Sequence, residues 1–266
     1  MIGEHALHSN FARYNLDKVY LDLLIDLHKH QERQGPGSEA STTMAMEMAK
    51  IGGKTGLQVA DLGCGTGAST ILLTQKLKAK VTAVDLLPEF LTVLKSKANQ
   101  LELGNDIVTL SSSMDKLPFN QGQLDLIWSE GAIYNIGFNK GINYWRQFLK
   151  PGGFLVVSEL IWTTGTRPAE LEAHWKGEYA EIGTASEKIK RLEESGYSPV
   201  GYFTLSEECW LENYYMPLTN SHHSFLERNK ANKQIAMDII EADKQEAALY
   251  KKYSPYYSYG MFIAKN

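Results

Sequence analysis

The chain has 266 residues, 43% of them hydrophobic and 22% charged, with a net charge of -4, enough for one large domain with a full core. That small negative charge gives no reason to expect nucleic acid or an anionic membrane surface as a partner, and no uninterrupted apolar run approaches the ~20 residues that span a bilayer. The two cysteines, Cys64 and Cys209, form no disulfide framework, and residues 1–5 lack the basic-then-apolar pattern of a secretory leader, so a cytoplasmic location is expected.

In chain order, the first expected element is a helix over 16–31, where Val19, Leu23 and Leu27 fall at helical spacing beside Tyr20 and Leu24. Gly35-Pro36-Gly37 breaks it. Ser38 then caps a second helix, with Met44, Met48 and Ile51 on one face before Gly52-Gly53 ends it. From Gln58 short apolar runs alternate with amphipathic stretches. Strands are expected near 59–62, 81–85, 107–111, 124–129 and 154–159, and helices over 69–77, 88–101 and 139–149. Such alternation implies an α/β fold, a doubly wound and mostly parallel sheet covered on both faces, with its ligand at the C-terminal rim of the strands. After Glu159 the rhythm changes: helices over 168–179 and 186–194, a strand over 197–205, a polar helix-rich insert over 207–253, and a last strand over 256–264. The whole reads as one domain: an N-terminal helical part (1–53), a core (54–160), and a C-terminal half (161–266) whose insert is too long for a hairpin loop and shapes a substrate pocket.

The core is organised around Val59-Ala60-Asp61-Leu62-Gly63-Cys64-Gly65-Thr66-Gly67-Ala68-Ser69-Thr70, which reads as strand, glycine-rich turn and helix opening. Glycines at alternate positions strip Cβ atoms from one side of the turn, so a ligand can lie against bare peptide. The helix behind it points unpaired N–H groups and the positive end of its dipole at the same spot, which suits something flat, polar and partly anionic. Gly63, Gly65 and Ala68 satisfy the G-x-G-x-x-G/A spacing, and Asp85 ends the next strand, which leaves a nicotinamide or flavin dinucleotide open. Asp61 argues against one, because its carboxylate would face the pyrophosphate. It suits a ligand that brings an ammonium group, such as S-adenosylmethionine, which has an adenosine, a sulfonium and an amino-acid end but no phosphate.

The residues Asp61-Leu62-Gly63-Cys64-Gly65-Thr66-Gly67, Val81-Thr82-Ala83-Val84-Asp85, Met114-Asp115-Lys116-Leu117-Pro118-Phe119, Leu124-Asp125-Leu126-Ile127-Trp128-Ser129 and Leu149-Lys150-Pro151-Gly152-Gly153 follow one another in the order of the class I S-adenosylmethionine-dependent methyltransferases. Over about residues 59–159 the chain resembles that family, and within it the small-molecule enzymes of the ubiquinone/menaquinone-biosynthesis type. The resemblance implies a seven-stranded Rossmann-like sheet with its last strand antiparallel, and two leading helices that serve as a lid or simply cover a sheet edge or face. It implies that Asp61, Gly63, Cys64, Gly65, Gly67 and Ser69 contact the cofactor, and that Asp85 accepts from the ribose hydroxyls unless it only caps the next helix. Ser113 stands where the family usually carries an acid for the adenine amino group, so Asp115 or the backbone of Met114 are alternatives, with Leu86 and Met114 as apolar walls. Ser129 would lie by the sulfonium with Glu130 beyond it, unless these cap a helix.

The activity implied is direct, in-line methyl transfer to an unidentified small molecule, with no covalent enzyme intermediate and no assigned catalytic residue. Any base would come from Glu130, Tyr134, His174 or the insert. A metal site is not expected, since His222 and His223 are adjacent and cannot share a helix face. Trp162, Trp175, Tyr179, Trp210, Tyr214 and Tyr215 are read chiefly as core. A nicotinamide-dependent oxidoreductase and a non-catalytic adenosylmethionine-binding protein are the alternatives.

Overall fold

The structure is a computed structural model that describes residues 18–266. The first two positions of the expected leading helix, and the expectation about residues 1–5, lie outside the described residues. Helix α1 runs Lys18–His28 and α2 Glu39–Met48. Ser38 caps α2 through a reciprocal pair: its hydroxyl accepts from the Ser41 amide at 3.0 Å, and the Ser41 hydroxyl accepts from the Ser38 amide at 2.9 Å. There follow β1 (Gln58–Leu62), α3 (Ala68–Leu77), β2 (Lys80–Asp85), α4 (Pro88–Gln100), β3 (Ile107–Ser111), β4 (Leu124–Ser129), α5 (Phe138–Arg146) and β5 (Leu149–Trp162). Beyond it lie α6 (Ala169–Glu178), β6 (Gly183–Thr184), α7 (Ala185–Glu194), β7 (Ser198–Thr204) and β8 (Tyr257–Lys265), with the insert between the last two.

Seven strands form the path β3-β2-β1-β4-β5-β8-β7, and the two-residue β6 pairs with β5 off that path. β8 runs antiparallel to both β5 and β7, as the resemblance implied. Because β1 pairs with β2 on one side and β4 on the other, the winding reverses between β1 and β4. That switch point opens a crevice outside the carboxyl ends of these two strands, where open α/β sheets bind ligands.

Apolar side chains cover both faces of the sheet. On one, Ala45 and Met46 of α2 pack with Leu73 of α3 against Val59, Trp128 and Met261. On the other, Phe138, Ile142 and Trp145 of α5 pack with Leu192 of α7 against Leu62, Ile127 and Phe262. The two leading helices divide the expected roles. α2 covers a sheet face, whereas Leu23, Leu24 and Leu27 of α1 join an aromatic cluster with the insert.

Two boundaries and one added strand differ from the sequence reading. The expected helix over 139–149 ends at Arg146, and Leu149 already pairs with Leu124, so β5 begins before Pro151-Gly152-Gly153 rather than after it. β6 was not foreseen. The insert is a short helix α8 (Glu207–Trp210), a π turn (Leu211–Tyr215), α9 (Met216–Arg228), a 3-10 turn (Lys230–Asn232) and the long α10 (Lys233–Tyr253). Among the described residues no helix is long and apolar enough to cross a membrane.

Candidate active site at the switch point

A cleft lies at the crevice, between the glycine turn after β1 and the loop after β4. Gly63, Cys64, Gly65 and Ser69 line it from the turn, Asp85 from the end of β2, and Glu130 from the far loop. The turn fits there because it lacks side chains. Gly63 has φ +72°, and a Cβ on it would stand 2.3 Å from the Cβ of Ala132 across the cleft. Gly67 does not line the cleft: at φ +91° it lets α4 approach, and a Cβ would stand 2.2 Å from a methyl of Leu94.

The backbone amides of the turn itself, from Gly63 to Gly67, are all bonded within the protein. Gly63 and Cys64 both donate to the Val84 carbonyl, at 2.8 and 3.0 Å, and Gly67 donates to the Cys64 carbonyl at 3.0 Å. Gly65 donates to Asp85 Oδ2 at 2.8 Å, and Thr66 to Gln34 Oε1 at 2.8 Å. The other oxygen of Asp85 accepts from the Leu87 amide at 2.9 Å. One carboxylate thus fixes both the turn and the start of α4.

Asp61 lies below the cleft, 1% exposed, and is not part of its wall. Thr70 Oγ1 donates to its Oδ2 at 2.6 Å, and Oδ1 has no hydrogen-bond partner among the described residues. Burial raises its pKa to about 7; the charges of Glu130 and Asp85 add to this, against the Thr70 bond and Arg33. Burial likewise pushes the Cys64 thiol well above its usual value, with Asp85 and Asp61 reinforcing it, so it is not a nucleophile.

Of the other expected contacts, Ser129 is fully buried and donates to the Leu62 carbonyl at 2.8 Å, tying β4 to β1. Met114 lies behind Gly63, its carbonyl taken by Trp145 Nε1 at 2.9 Å, and Leu86 is 66% exposed. Ser113 donates to Asp115 at 2.6 Å, and Asp115 pairs with Lys140 at 2.6 Å on the surface. None of these five lines the cleft. Tyr134 is buried edge-on to Tyr179, their ring centres 6.2 Å apart, while His174 is exposed. His222 is buried facing Asp243 at 3.4 Å, and no group of acids, cysteines and histidines among the described residues could hold a metal ion.

Sequence reasoning missed the segment between α1 and α2. Arg33, Gln34, Gly35 and Pro36 form one wall of the cleft. Arg33 Nη1 donates to Glu130 Oε2 at 2.8 Å; Thr42 Oγ1 and Trp128 Nε1 donate to Glu130 Oε1 at 2.7 and 2.9 Å. Gln34 closes over the turn, since its Nε2 also donates to Thr66 Oγ1 at 3.0 Å. No spacing in the sequence connects Arg33 to Glu130.

Comparison with known proteins adds the chemistry. Residues 59–153 match the model of a methyltransferase domain. Over 118 residues the chain is 30% identical to a demethylmenaquinone methyltransferase of Lactococcus lactis, a match covering 43% of this chain and 46% of that protein. The chain spans less than two thirds of the length of the first curated relatives it matches. In fold it is similar to an S-adenosylmethionine-dependent methyltransferase of Geobacter sulfurreducens crystallised with S-adenosylhomocysteine (TM-score 0.79, 16% identity, 91% of this chain and 97% of that one). It is also similar to the [4+2]-cyclase SpnF (TM-score 0.70, 17% identity, 92% and 91%).

Proposed function

We propose that this chain, which carries a methyltransferase domain of the S-adenosylmethionine-dependent class over residues 59–153, binds that cofactor in the cleft and passes its methyl group directly to a small molecule. One observation supports this above the rest. Every backbone N–H from Gly63 to Gly67 is bonded within the protein, while the cleft wall carries the carboxylates of Asp85 and Glu130 against one guanidinium. A diphosphate would find the amides of Gly63 to Gly67 taken and would meet two like charges. A ligand with a sulfonium and an ammonium gains where a dinucleotide loses.

When bound, the cofactor supplies an electrophilic methyl on sulfur, so no group of the protein need bond to the acceptor. Asp85, in the cleft wall at the end of β2, receives the ribose hydroxyls through its carboxylate. Glu130 holds negative charge on the side of the cationic groups. Gly63, bare of a side chain, lets Ala132 pack directly against the turn and so brings the loop after β4 to the cleft. The insert and α1 close the acceptor side and keep the two reactants together, the main contribution such an enzyme makes. The two free, buried cysteines fit a reducing, cytoplasmic setting.

The test is calorimetry of ligand-stripped protein with S-adenosylhomocysteine and S-adenosylmethionine, followed by label transfer from the methyl group into a pool of small metabolites. Binding of both and labelling of an acceptor are expected. Binding of neither, or of a reduced nicotinamide dinucleotide in their place, overturns the reading. Binding with no labelled acceptor reduces the protein to a nucleoside-binding one.

A further inference from the structure

We propose that a second cavity, on the α5 and α7 side of the sheet, binds a small organic monocarboxylate, with Lys188 and Arg191 of α7 receiving the carboxylate. The inference goes beyond the cofactor reading and does not depend on it.

This cavity measures about 400 Å³, within the range of small-molecule sites, and shares no lining residue with the switch-point cleft. Ala180 and Ile182 give it an apolar wall, with Asn139 from the start of α5 and charged side chains of α7 around them. Among those is a lysine in a buried charge pair that methyl transfer does not use. The side chains of Lys188 and Glu159 are 4% and 0% exposed, and Lys188 Nζ donates to Glu159 Oε1 at 3.1 Å. The same ammonium donates to the Glu181 carbonyl at 2.7 Å and lies 4.6 Å from the centre of the Phe138 ring. An ammonium has three donors, so one remains for a ligand. A buried pair of this kind adds little stability over apolar side chains of the same volume, which leaves its retention to be explained by binding.

The acids of the wall are engaged with the main chain. Glu181 Oε2 accepts from the Asn139 amide at 3.1 Å and Glu187 Oε2 from the Thr184 amide at 2.6 Å, so these carboxylates serve the starts of α5 and α7. Arg191 follows Lys188 by three residues, on the same face of α7, and uses Nη1 on Glu194 at 2.9 Å. Lys188, Lys190 and Arg191 stand in the wall against Glu181 and Glu187, an excess of one positive charge. One negative charge balances it, and a planar carboxylate matches the guanidinium fork. A ligand with two or three negative charges would be repelled by the two acids.

The experiment is calorimetry with two probes of similar shape, benzoate and the uncharged benzamide. Wild type is expected to bind benzoate saturably and benzamide at least about tenfold more weakly. Lys188→Met made together with Glu159→Gln removes both charges and strands neither. It should weaken benzoate roughly ten- to hundred-fold, the range for hydrogen bonds to a charged group. Arg191→Gln, at a more exposed position, should weaken it about two- to fivefold. Arg33→Gln, which removes the cation of the switch-point cleft, should leave benzoate binding unchanged. The unfolding midpoint of each variant shows that the fold is kept, and the two arginine variants decide the matter if the double variant does not fold. Absence of saturable benzoate binding overturns the proposal, as does equal binding of benzamide. So does a loss on Arg33→Gln, or binding that Arg191→Gln leaves untouched.

Discussion

The floor of the cleft is tied by bonds between neighbouring strands and turns: Gly63 and Cys64 to Val84, Gly65 to Asp85, Ser129 to Leu62. Its cover is tied by bonds between parts of the chain far apart in sequence: Arg33 to Glu130 across 97 residues, Asn213 to Gly37 across 176, Arg228 to Asp26 across 202. The floor is therefore set by a short motif and the sheet register, and holds its shape as part of the main core. The cover exists only once α1, the segment after it and the insert have met. A ligand that needs both is gripped by a rigid base and an assembled lid, and the two should fail separately.

Trp210 is the strongest place to break the cover alone. It is fully buried, stacked on Tyr250 at 4.3 Å and Tyr259 at 5.3 Å, and its Nε1 donates to Ser258 at 2.9 Å. Trp210→Ala is expected to cost about 3–5 kcal/mol in chemical unfolding. Hydrogen exchange should show protection lost first in residues 18–37 and 207–253, with β1–β4 still protected. If β1–β4 lose protection equally, floor and cover are one cooperative unit and the distinction falls.

Gly63→Ala attacks the other side. The left-handed backbone costs an alanine about 1–2 kcal/mol, and overpacking against Ala132 adds about 1–3. The expected total, about 2–5 kcal/mol, should come with loss of S-adenosylhomocysteine binding by calorimetry, while exchange in the insert changes little. A Gly63→Ala protein that binds as tightly as wild type would show that the bare turn is not what receives the ligand.

The same division explains what could be read from the chain. The strands β1 to β4 fall within a residue or so of their expected positions, because buried apolar runs and a glycine turn carry their own signal. Leu149 was read as helix because Phe148 and Leu149 continue the apolar spacing of Ile142 and Trp145; only pairing with Leu124 makes it strand. Gly183 and Thr184 are too few to show any period, and they become a strand by lying against Ile161 and Trp162. In the sequence Arg33 is a single charged residue just ahead of the Gly35-Pro36-Gly37 break. What makes it part of the site is Glu130, which the fold alone delivers. Ser129 was expected beside the ligand, yet its hydroxyl is spent on joining two strands, since a buried hydroxyl must find an acceptor.

Asp61 sharpens the comparison from within the floor, with the smallest effect, read per unit of pH. Its folded pKa is raised from 3.8 to about 7, chiefly by burial. Between those values the unfolded chain has released the proton and the folded protein still holds it, so stability falls as pH rises through the window. The contribution is whole below pH 3.8 and gone above about 7. Asp61→Asn removes the titration, so its stability relative to wild type should climb across that range, by about 1.4 kcal/mol for each pH unit. Paired urea titrations at several pH values read this difference, because the groups common to both proteins cancel. A difference that stays flat would mean that Asp61 is ionised throughout and already paired with a positive charge.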